Sequence, residues 1–271
     1  MKDCYVGDRK DFMKFDLALS LYDRLAGINS IAYIPMLVPG GNPGQDFGYD
    51  GRRKRLALHD FLMRYSQNQD AENRQVFSYR RFMQDQDIGF FPYLDRQYDE
   101  GESVRHRNRV NYFSGVPREW LDQAIILIDP CTGLQRDKNG LLIKPDRNVS
   151  DEYLLYSDLE TLWSAVTLSS IILVFQYIRN TNKYDFQAFL ERKVPFIDAY
   201  CSACQTPIWL ICDATDFTPR NGGQGLISPS NGHDAVAMFA ITRNESLHGE
   251  INVLFRDYCC TPGYSMSLCN S

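Results

Sequence analysis

Apolar runs without polar alternation are the clearest pattern along the chain. They occur at residues 124–128, 171–175, 208–212 and 235–241, and a less regular strand is predicted at residues 30–38. Strands that lack alternation are buried on both faces, which is typical of parallel sheets. The pattern therefore predicts a mostly parallel central sheet.

Apolar residues at helical spacing separate these strands. Helices are predicted at residues 11–25, 54–65, 118–123, 157–166, 184–199 and 251–258. Residues 157–160 fit a capping box at the start of the fourth helix, and a break is expected near Pro195. Pro35 indicates that the first strand is irregular or lies at a sheet edge. Strands that alternate with helices predict an α/β fold with helices on both faces.

The chain length is that of one large domain. We interpret residues 1–271 as a single α/β domain. Residues 66–117 are polar, rich in Arg, Asp, Gln and aromatic residues, and contain only short strand candidates such as residues 76–79. This region is predicted to be an irregular insertion.

The composition is that of an ordinary globular protein, with 44% hydrophobic and 23% charged residues and a net charge of −5. No apolar run is long enough for a membrane span or suited to a signal peptide. A cytoplasmic location without membrane association is therefore expected. Two basic runs stand out as possible phosphate contacts. The first consists of Arg52, Arg53, Lys54 and Arg55, and the second contains Arg105, Arg107 and Arg109.

The segment QAIILIDPCTGLQ (residues 123–135) contains the strongest candidate for a functional residue. Asp129 and Pro130 follow a strand that is apolar throughout. In parallel sheets, ligands bind beyond the carboxyl ends of the strands. A carboxylate at this position needs a partner, because burying an unpaired charge is costly. The position favours a ligand site, although Asp-Pro is also common in turns.

Two other chemistries remain open. Cys201 and Cys204 with the adjacent pair Cys259–Cys260 are candidates for a zinc site, but the second pair lacks the usual spacing, and buried free thiols are the simpler interpretation. A metal-dependent nuclease would need Asp129 to act with Asp137 and Lys138 or with Asp146. Alternatively, Asp129, Asp213 and Asp216 could meet at the carboxyl edge of the sheet and bind a divalent ion. The spacing of these carboxylates does not require a shared site.

Two sequence blocks resemble a known group of proteins. The first is YVGDRKDFMKFDLALSL (residues 5–21), and the second runs from Trp120 through IILIDPCTGL. Together they are similar to a group of uncharacterised bacterial proteins with a Gly-Asp-x-x-Asp-x-x-Lys-(Tyr/Phe) start and a strand ending in Asp-Pro-Asp-Asn-Gly. More distantly, the blocks resemble the Rossmann-like ribosomal RNA adenine-N6 methyltransferases.

The resemblance implies a Rossmann-like, methyltransferase-like fold with S-adenosylmethionine as cofactor and a nucleic acid as partner. Lys14 and Phe15 would lie near the cofactor, and Asp129 with Pro130 would contact the amine that accepts the methyl group. The glycine-rich loop after the first strand differs from the Gly-x-Gly-x-Gly turn of that fold, but its glycines would let it approach a cofactor closely. Its glycines are Gly40, Gly41 and Gly44.

One departure from the methyltransferase motif keeps a second interpretation open. Cys131 and Thr132 stand where the methyltransferases have Pro-Tyr, so no aromatic residue follows Asp129-Pro130 to stack on a base. The alternative is a Rossmann-like protein that binds a partner or a nucleic acid without catalysis.

Overall fold

The fold is described by a computed structural model. It describes residues 9–37, 55–67, 77–93, 111–138, 140–143, 152–178, 186–212, 235–259 and 266–269. The helices are α1 (Arg9–Arg24), α2 (Leu56–Gln67), α3 (Phe77–Asp85), α4 (Tyr156–Ala165), α5 (Phe186–Glu191), α6 (Val194–Tyr200) and α7 (Glu245–Cys259). The strands are β1 (Ser30–Pro35), β2 (Gly89–Pro92), β3 (Ala124–Asp129), β4 (Gly133–Leu134), β5 (Asp137–Lys138), β6 (Leu141–Leu142), β7 (Tyr153–Leu154), β8 (Ile171–Ile178), β9 (Ile208–Cys212), β10 (Ala235–Ile241) and β11 (Met266–Cys269).

Seven strands form the central sheet in the order β2-β1-β3-β8-β10-β9-β11. The first four in this order are parallel, whereas β10 is antiparallel to both β8 and β9, and β11 is antiparallel to β9. The chain therefore has an α/β fold with a mostly parallel sheet, compatible with a Rossmann-like fold, and the predicted fold class is confirmed.

Helices cover both faces of the sheet. Helices α1, α2, α3 and α7 pack on one face, here called the α1 face, and α4, α5 and α6 pack on the other, here called the α4 face. Alternate residues of each strand point to opposite faces. In β3, for example, Ile125 and Leu127 belong to the core of the α1 face, and Ile126 and Ile128 to that of the α4 face.

The strand order changes direction between β1 and β3. The chain leaves β1 through α2 and α3 on the α1 face to reach β2, on one side of β1. It leaves β3, on the other side of β1, through α4 on the α4 face to reach β8. The carboxyl ends of β1 and β3 are thus a topological switch point, where open α/β sheets bind ligands. Pro35 and Asp129 pair in register at this end.

Several local predictions were wrong. A strand was expected at residues 76–79, but residues 77–79 are the start of α3, and the region 66–117 also contributes β2 to the central sheet. The first strand is internal, and Pro35 is its last residue. Helix α4 begins before the capping box expected at residues 157–160. The backbone N–H of its N-cap, Leu155, donates to the Asp158 carboxylate (2.8 Å), but the leucine side chain has no acceptor, so only half of a capping box forms. The break near Pro195 is confirmed, since α5 ends before α6 begins.

Within the described residues, no helix combines the length and the apolar character that crossing a membrane requires.

Candidate functional site

Asp129 and Lys14 form a buried ion pair at the switch point. Lys14 lies on α1, and its Nζ donates to Asp129 Oδ2 at 2.6 Å. Asp129 is 1% exposed and Lys14 is 4% exposed. The two residues are 115 positions apart in the sequence, so a direct contact joins the segment around Lys14 to the end of β3.

A second carboxylate binds the same ammonium group. Asp11 Oδ1 lies 2.5 Å from Lys14 Nζ, one helical turn earlier on α1. Two buried tyrosines donate to the carboxylates: Tyr33 to Asp129 Oδ2 (2.9 Å) and Tyr79 to Asp11 Oδ2. Lys14 is thus held between two carboxylates, each of which also accepts a hydrogen bond from a tyrosine. We call these five residues the Lys14 cluster.

Tyr33 acts as a hydrogen-bond donor in this cluster. Burial raises the pKa of Tyr33 well above its usual value, and the nearby carboxylates of Asp129 and Asp11 raise it further. The phenol therefore keeps its proton at neutral pH. Because Tyr33 and Lys14 both donate to Oδ2 of Asp129, the orientation of the whole carboxylate is fixed.

Phe15 lies behind the cluster, in the core of the α1 face. Its ring packs against those of Tyr33 (5.1 Å between centroids), Tyr79 (4.3 Å) and Phe90 (6.2 Å), and the side chain is fully buried. This placement gives Phe15 a supporting contact with both tyrosines of the cluster. Its expected role near the cofactor stays a prediction.

The segment after Asp129 crosses to the α4 face. Pro130 is buried and Cys131 is half-buried. The backbone N–H of Thr132 donates to the Glu152 carbonyl oxygen at 2.9 Å, and its hydroxyl donates to the same oxygen at 2.7 Å. The Asp-Pro-Cys-Thr segment therefore has a defined path beside the site.

Most of the other predicted site residues lie outside the described residues. These are Gly40, Gly41, Gly44, Arg52, Arg53, Lys54, Arg105, Arg107 and Arg109. Arg55 is described, and its Nη2 donates to Asp23 Oδ2 at 2.6 Å while its Nε lies 3.6 Å from Asp16 Oδ1. These carboxylates offset part of its charge, which makes Arg55 a weaker phosphate contact than an exposed arginine.

The metal alternatives gain no support from the described residues. Among them, no three His, Cys, Asp or Glu side chains come together as potential metal ligands. Asp137 pairs instead with Lys193 (2.7 Å), and Cys260, Asp146, Asp213 and Asp216 lie outside the described residues. The zinc and nuclease hypotheses stay untested predictions.

Cys201 and Cys204 have the properties of structural thiols. Burial raises the pKa of the Cys204 thiol to about 12 and that of the Cys201 thiol above its usual range. We expect iodoacetamide at about pH 8 to leave both unmodified in the folded protein, since the thiolate is the reactive form. Peptide mass spectrometry checks this, with alkylation in concentrated guanidinium as the control. Rapid native modification of either thiol would contradict it.

No protein-family model matches the chain, and no curated protein matches it either. The class that fold and geometry define is an α/β protein, compatible with a Rossmann-like fold, that has a buried ionic cluster at its topological switch point.

Sequence reasoning missed three members of the Lys14 cluster. Asp11 lies three residues before Lys14, a spacing that places both on one side of a helix. Tyr33 is the one residue with a polar group within the run IAYI, and a buried phenol usually has a hydrogen-bond partner. Both signals were available in the sequence. Tyr79 was missed because its segment was interpreted as a strand in an irregular region.

Proposed function

We propose that the protein is an S-adenosylmethionine-dependent methyltransferase that acts on nucleic acid. The observation that carries the proposal is the 2.6 Å contact between Lys14 Nζ and Asp129 Oδ2. It joins the two blocks that resemble the methyltransferases, and it lies at the switch point, where this class of sheet binds ligands. The two basic runs support a nucleic-acid partner, because lysine and arginine contact phosphates.

In this proposal Lys14 positions Asp129 and does not contact the cofactor. Lys14 is almost fully buried and is bound by two carboxylates, Asp11 and Asp129. A buried ammonium held in this way fixes the carboxylate that faces the switch point. The glycine-rich loop at residues 40–44 follows β1 in the chain, and we propose that this loop contacts the cofactor.

Asp129 would act on the methyl acceptor. The cofactor would supply the methyl group from its sulfonium. The acceptor amine must aim its lone pair in line with that methyl group, so the protein contributes mainly positioning and charge complementarity. Asp129, oriented by Tyr33 and Lys14, would accept a hydrogen bond from the amine. If the amine belongs to a base, the base must leave its stack to reach this carboxylate.

The test measures cofactor binding and methyl transfer separately. Wild-type protein is titrated calorimetrically with S-adenosylmethionine and S-adenosylhomocysteine, and transfer of labelled methyl groups to RNA and single-stranded DNA is measured in parallel. We expect micromolar binding. We expect Asp129→Asn to bind the cofactor within about threefold of wild type but to lose at least about a hundredfold in transfer, since it removes the charge that faces the amine.

The controls separate chemistry from folding. Asp122→Asn alters an exposed aspartate of the same region and should match the wild type in both assays. Circular dichroism must show that each variant is folded. Failure of the folded wild-type protein to bind either adenosyl ligand would overturn the proposal. Equal transfer by wild type and Asp129→Asn would remove Asp129 from the mechanism.

One observation favours a second function, binding without catalysis. Asp129 is 1% exposed and already accepts two hydrogen bonds on one oxygen, which is also the arrangement of a structural ion pair. A protein of this kind would bind nucleic acid in a filter assay but transfer no methyl group. The same set of experiments therefore distinguishes the two functions.

A further inference from the structure

A buried glutamine holds the segment that follows Asp129. Gln176 lies in β8, directly after the apolar run IILVF, and is 2% exposed. Its Oε1 accepts a hydrogen bond from the backbone N–H of Leu134 at 2.8 Å. Its Nε2 donates to the carbonyl oxygens of Tyr177 at 2.8 Å and Thr132 at 3.3 Å. The carboxamide therefore binds the main chain on both sides of Gly133.

Gly133 allows this contact. Its φ is +106°, a conformation that residues with a side chain rarely adopt. A Cβ atom at this position would lie 2.4–2.6 Å from the Gln176 carboxamide atoms. The main chain at Gly133 and the side chain of Gln176 are thus in direct contact, and each fixes the position of the other.

The held segment begins three residues after Asp129. The backbone N–H of Tyr177 also donates to Thr132 O at 3.3 Å, and the Glu152 carbonyl oxygen accepts from Thr132 on the other side. Residues 132–134 are therefore fixed by main-chain and side-chain contacts from β8 and from residue 152. Their path determines how the chain departs from the carboxyl end of β3.

We infer that Gln176 is a positioning residue for the acceptor side of the site. It sets the main-chain path of residues 132–134, and through that path the direction in which the chain leaves Asp129. The side of the site next to residues 132–134 is then formed by main chain. This agrees with the sequence, in which Cys131 and Thr132, and no aromatic residue, follow Asp129-Pro130. The inference rests on the proposed function in one respect, namely that a methyl acceptor binds beside residues 132–134. Gln176 itself does not touch the substrate.

The first test is amide hydrogen exchange, which needs no activity. Gln176→Met keeps a similar side-chain volume but removes all three hydrogen bonds. We expect the Leu134 amide to exchange at least about tenfold faster, because protection depends on the free energy of local opening. Gln176→Glu keeps an acceptor for Leu134 N–H but turns a carboxylate oxygen toward the carbonyl oxygens of Thr132 and Tyr177, so it should also increase exchange. Gln84→Met, at an exposed glutamine of α3, is the matched control.

The exchange result decides the inference by itself. If Gln176 merely fills space, methionine will leave the exchange of residues 132–134 unchanged, and the positioning role is overturned. Gly133→Ala provides a second approach to the same contact if Gln176→Met does not fold. It should also accelerate exchange in this segment, while the amides of α1 keep their wild-type rates.

The second test connects the segment to the reaction. In Gln176→Met we expect kcat for methyl transfer to fall at least about tenfold, since small displacements of positioned groups are costly. The affinity for S-adenosylhomocysteine should stay within about twofold of wild type, because the cofactor side is unchanged. Unchanged kcat with accelerated exchange would overturn the role in acceptor positioning. Absence of any transfer by the wild type would overturn the proposed function, and the exchange test would still decide whether Gln176 fixes the segment.

Discussion

Lys14→Met is expected to lower the free energy of unfolding by about 3–5 kcal/mol, the cost of breaking a buried ion pair by removing one partner. The substitution takes away the ammonium group that lies 2.5 Å from Asp11 Oδ1 and 2.6 Å from Asp129 Oδ2. Both carboxylates are 1% exposed, so water does not replace the lost interaction. Urea denaturation followed by circular dichroism measures the change.

Two further variants identify the source of the loss. Lys138→Met removes an exposed lysine and should change stability by less than about 0.5 kcal/mol. The triple variant Asp11→Asn, Lys14→Met, Asp129→Asn removes all three charges and should recover part of the loss, since neutral replacements carry no charge desolvation cost. A Lys14→Met effect below about 1 kcal/mol would show that the ammonium does not stabilise the cluster.

This stability effect also decides how the proposed function should be tested. A Lys14 variant that lost cofactor binding could have lost the fold of α1 instead. Asp129→Asn keeps a side chain of the same shape that can still accept the Tyr33 hydrogen bond, and it leaves the Lys14 ammonium paired with the Asp11 carboxylate. It is therefore the better variant for separating chemistry from stability.

The central sheet was largely predictable from the sequence. The apolar runs at residues 124–128, 171–175, 208–212 and 235–241 are strands because an unbroken apolar run can be buried on both faces. The same runs do not encode strand direction, which depends on pairing between distant segments. Hydrophobic periodicity therefore could not predict that β10 runs antiparallel to β8 and β9.

The elements that were missed are short or are stabilised mainly by tertiary contacts. β2 has four residues at the sheet edge and pairs in parallel with β1 alone among the described strands. Helix α3 lies in a polar region, but Tyr79 and Met83, one helical turn apart, are fully buried against the α1 face. Packing against neighbouring elements determines the helical conformation here, because intrinsic helix propensity is only a weak determinant of secondary structure.

The candidate site was predictable in its parts but not in its contacts. The strand-end position of Asp129 and the block around Lys14 each indicated a shared functional region. That the two residues form an ion pair depends on how α1 packs across the sheet, which no local pattern contains. Gln176 was missed although one polar residue in a buried strand usually has hydrogen-bond partners.

A second buried ion pair lies beyond the segment that Gln176 holds. Lys193, at the junction of α5 and α6, is 2% exposed, and its Nζ donates to Asp137 Oδ1 at 2.7 Å and to the Gln135 carbonyl oxygen at 2.9 Å. Burial lowers the pKa of Lys193, while the hydrogen bond and the charge of Asp137 oppose that change. Asp137 therefore stabilises the charged form of a desolvated lysine.

Asp137→Ala is expected to cost about 3–5 kcal/mol at neutral pH, because it leaves the buried Lys193 ammonium without its carboxylate. The pKa of Lys193 in the folded variant should fall further below the unfolded value of about 10.4. Between these two pKa values the unfolded state binds more protons, so the stability of the variant rises with pH. We expect its deficit relative to wild type to shrink between about pH 7 and about pH 10, as measured by urea denaturation at each pH.

The pH dependence of the stability loss in Asp137→Ala shows whether the buried charge of Lys193 causes that loss. If the loss came from a cavity or from broken main-chain contacts, the deficit would be the same at both pH values. Asp122→Ala, at an exposed aspartate, should show neither the loss nor the recovery. The double variant Asp137→Leu, Lys193→Met should be more stable at neutral pH than Asp137→Ala, because it removes the ammonium that alanine leaves buried. A double variant as unstable as Asp137→Ala would show that the segment after Gln135 depends on the specific hydrogen bonds of Lys193 and not on charge balance.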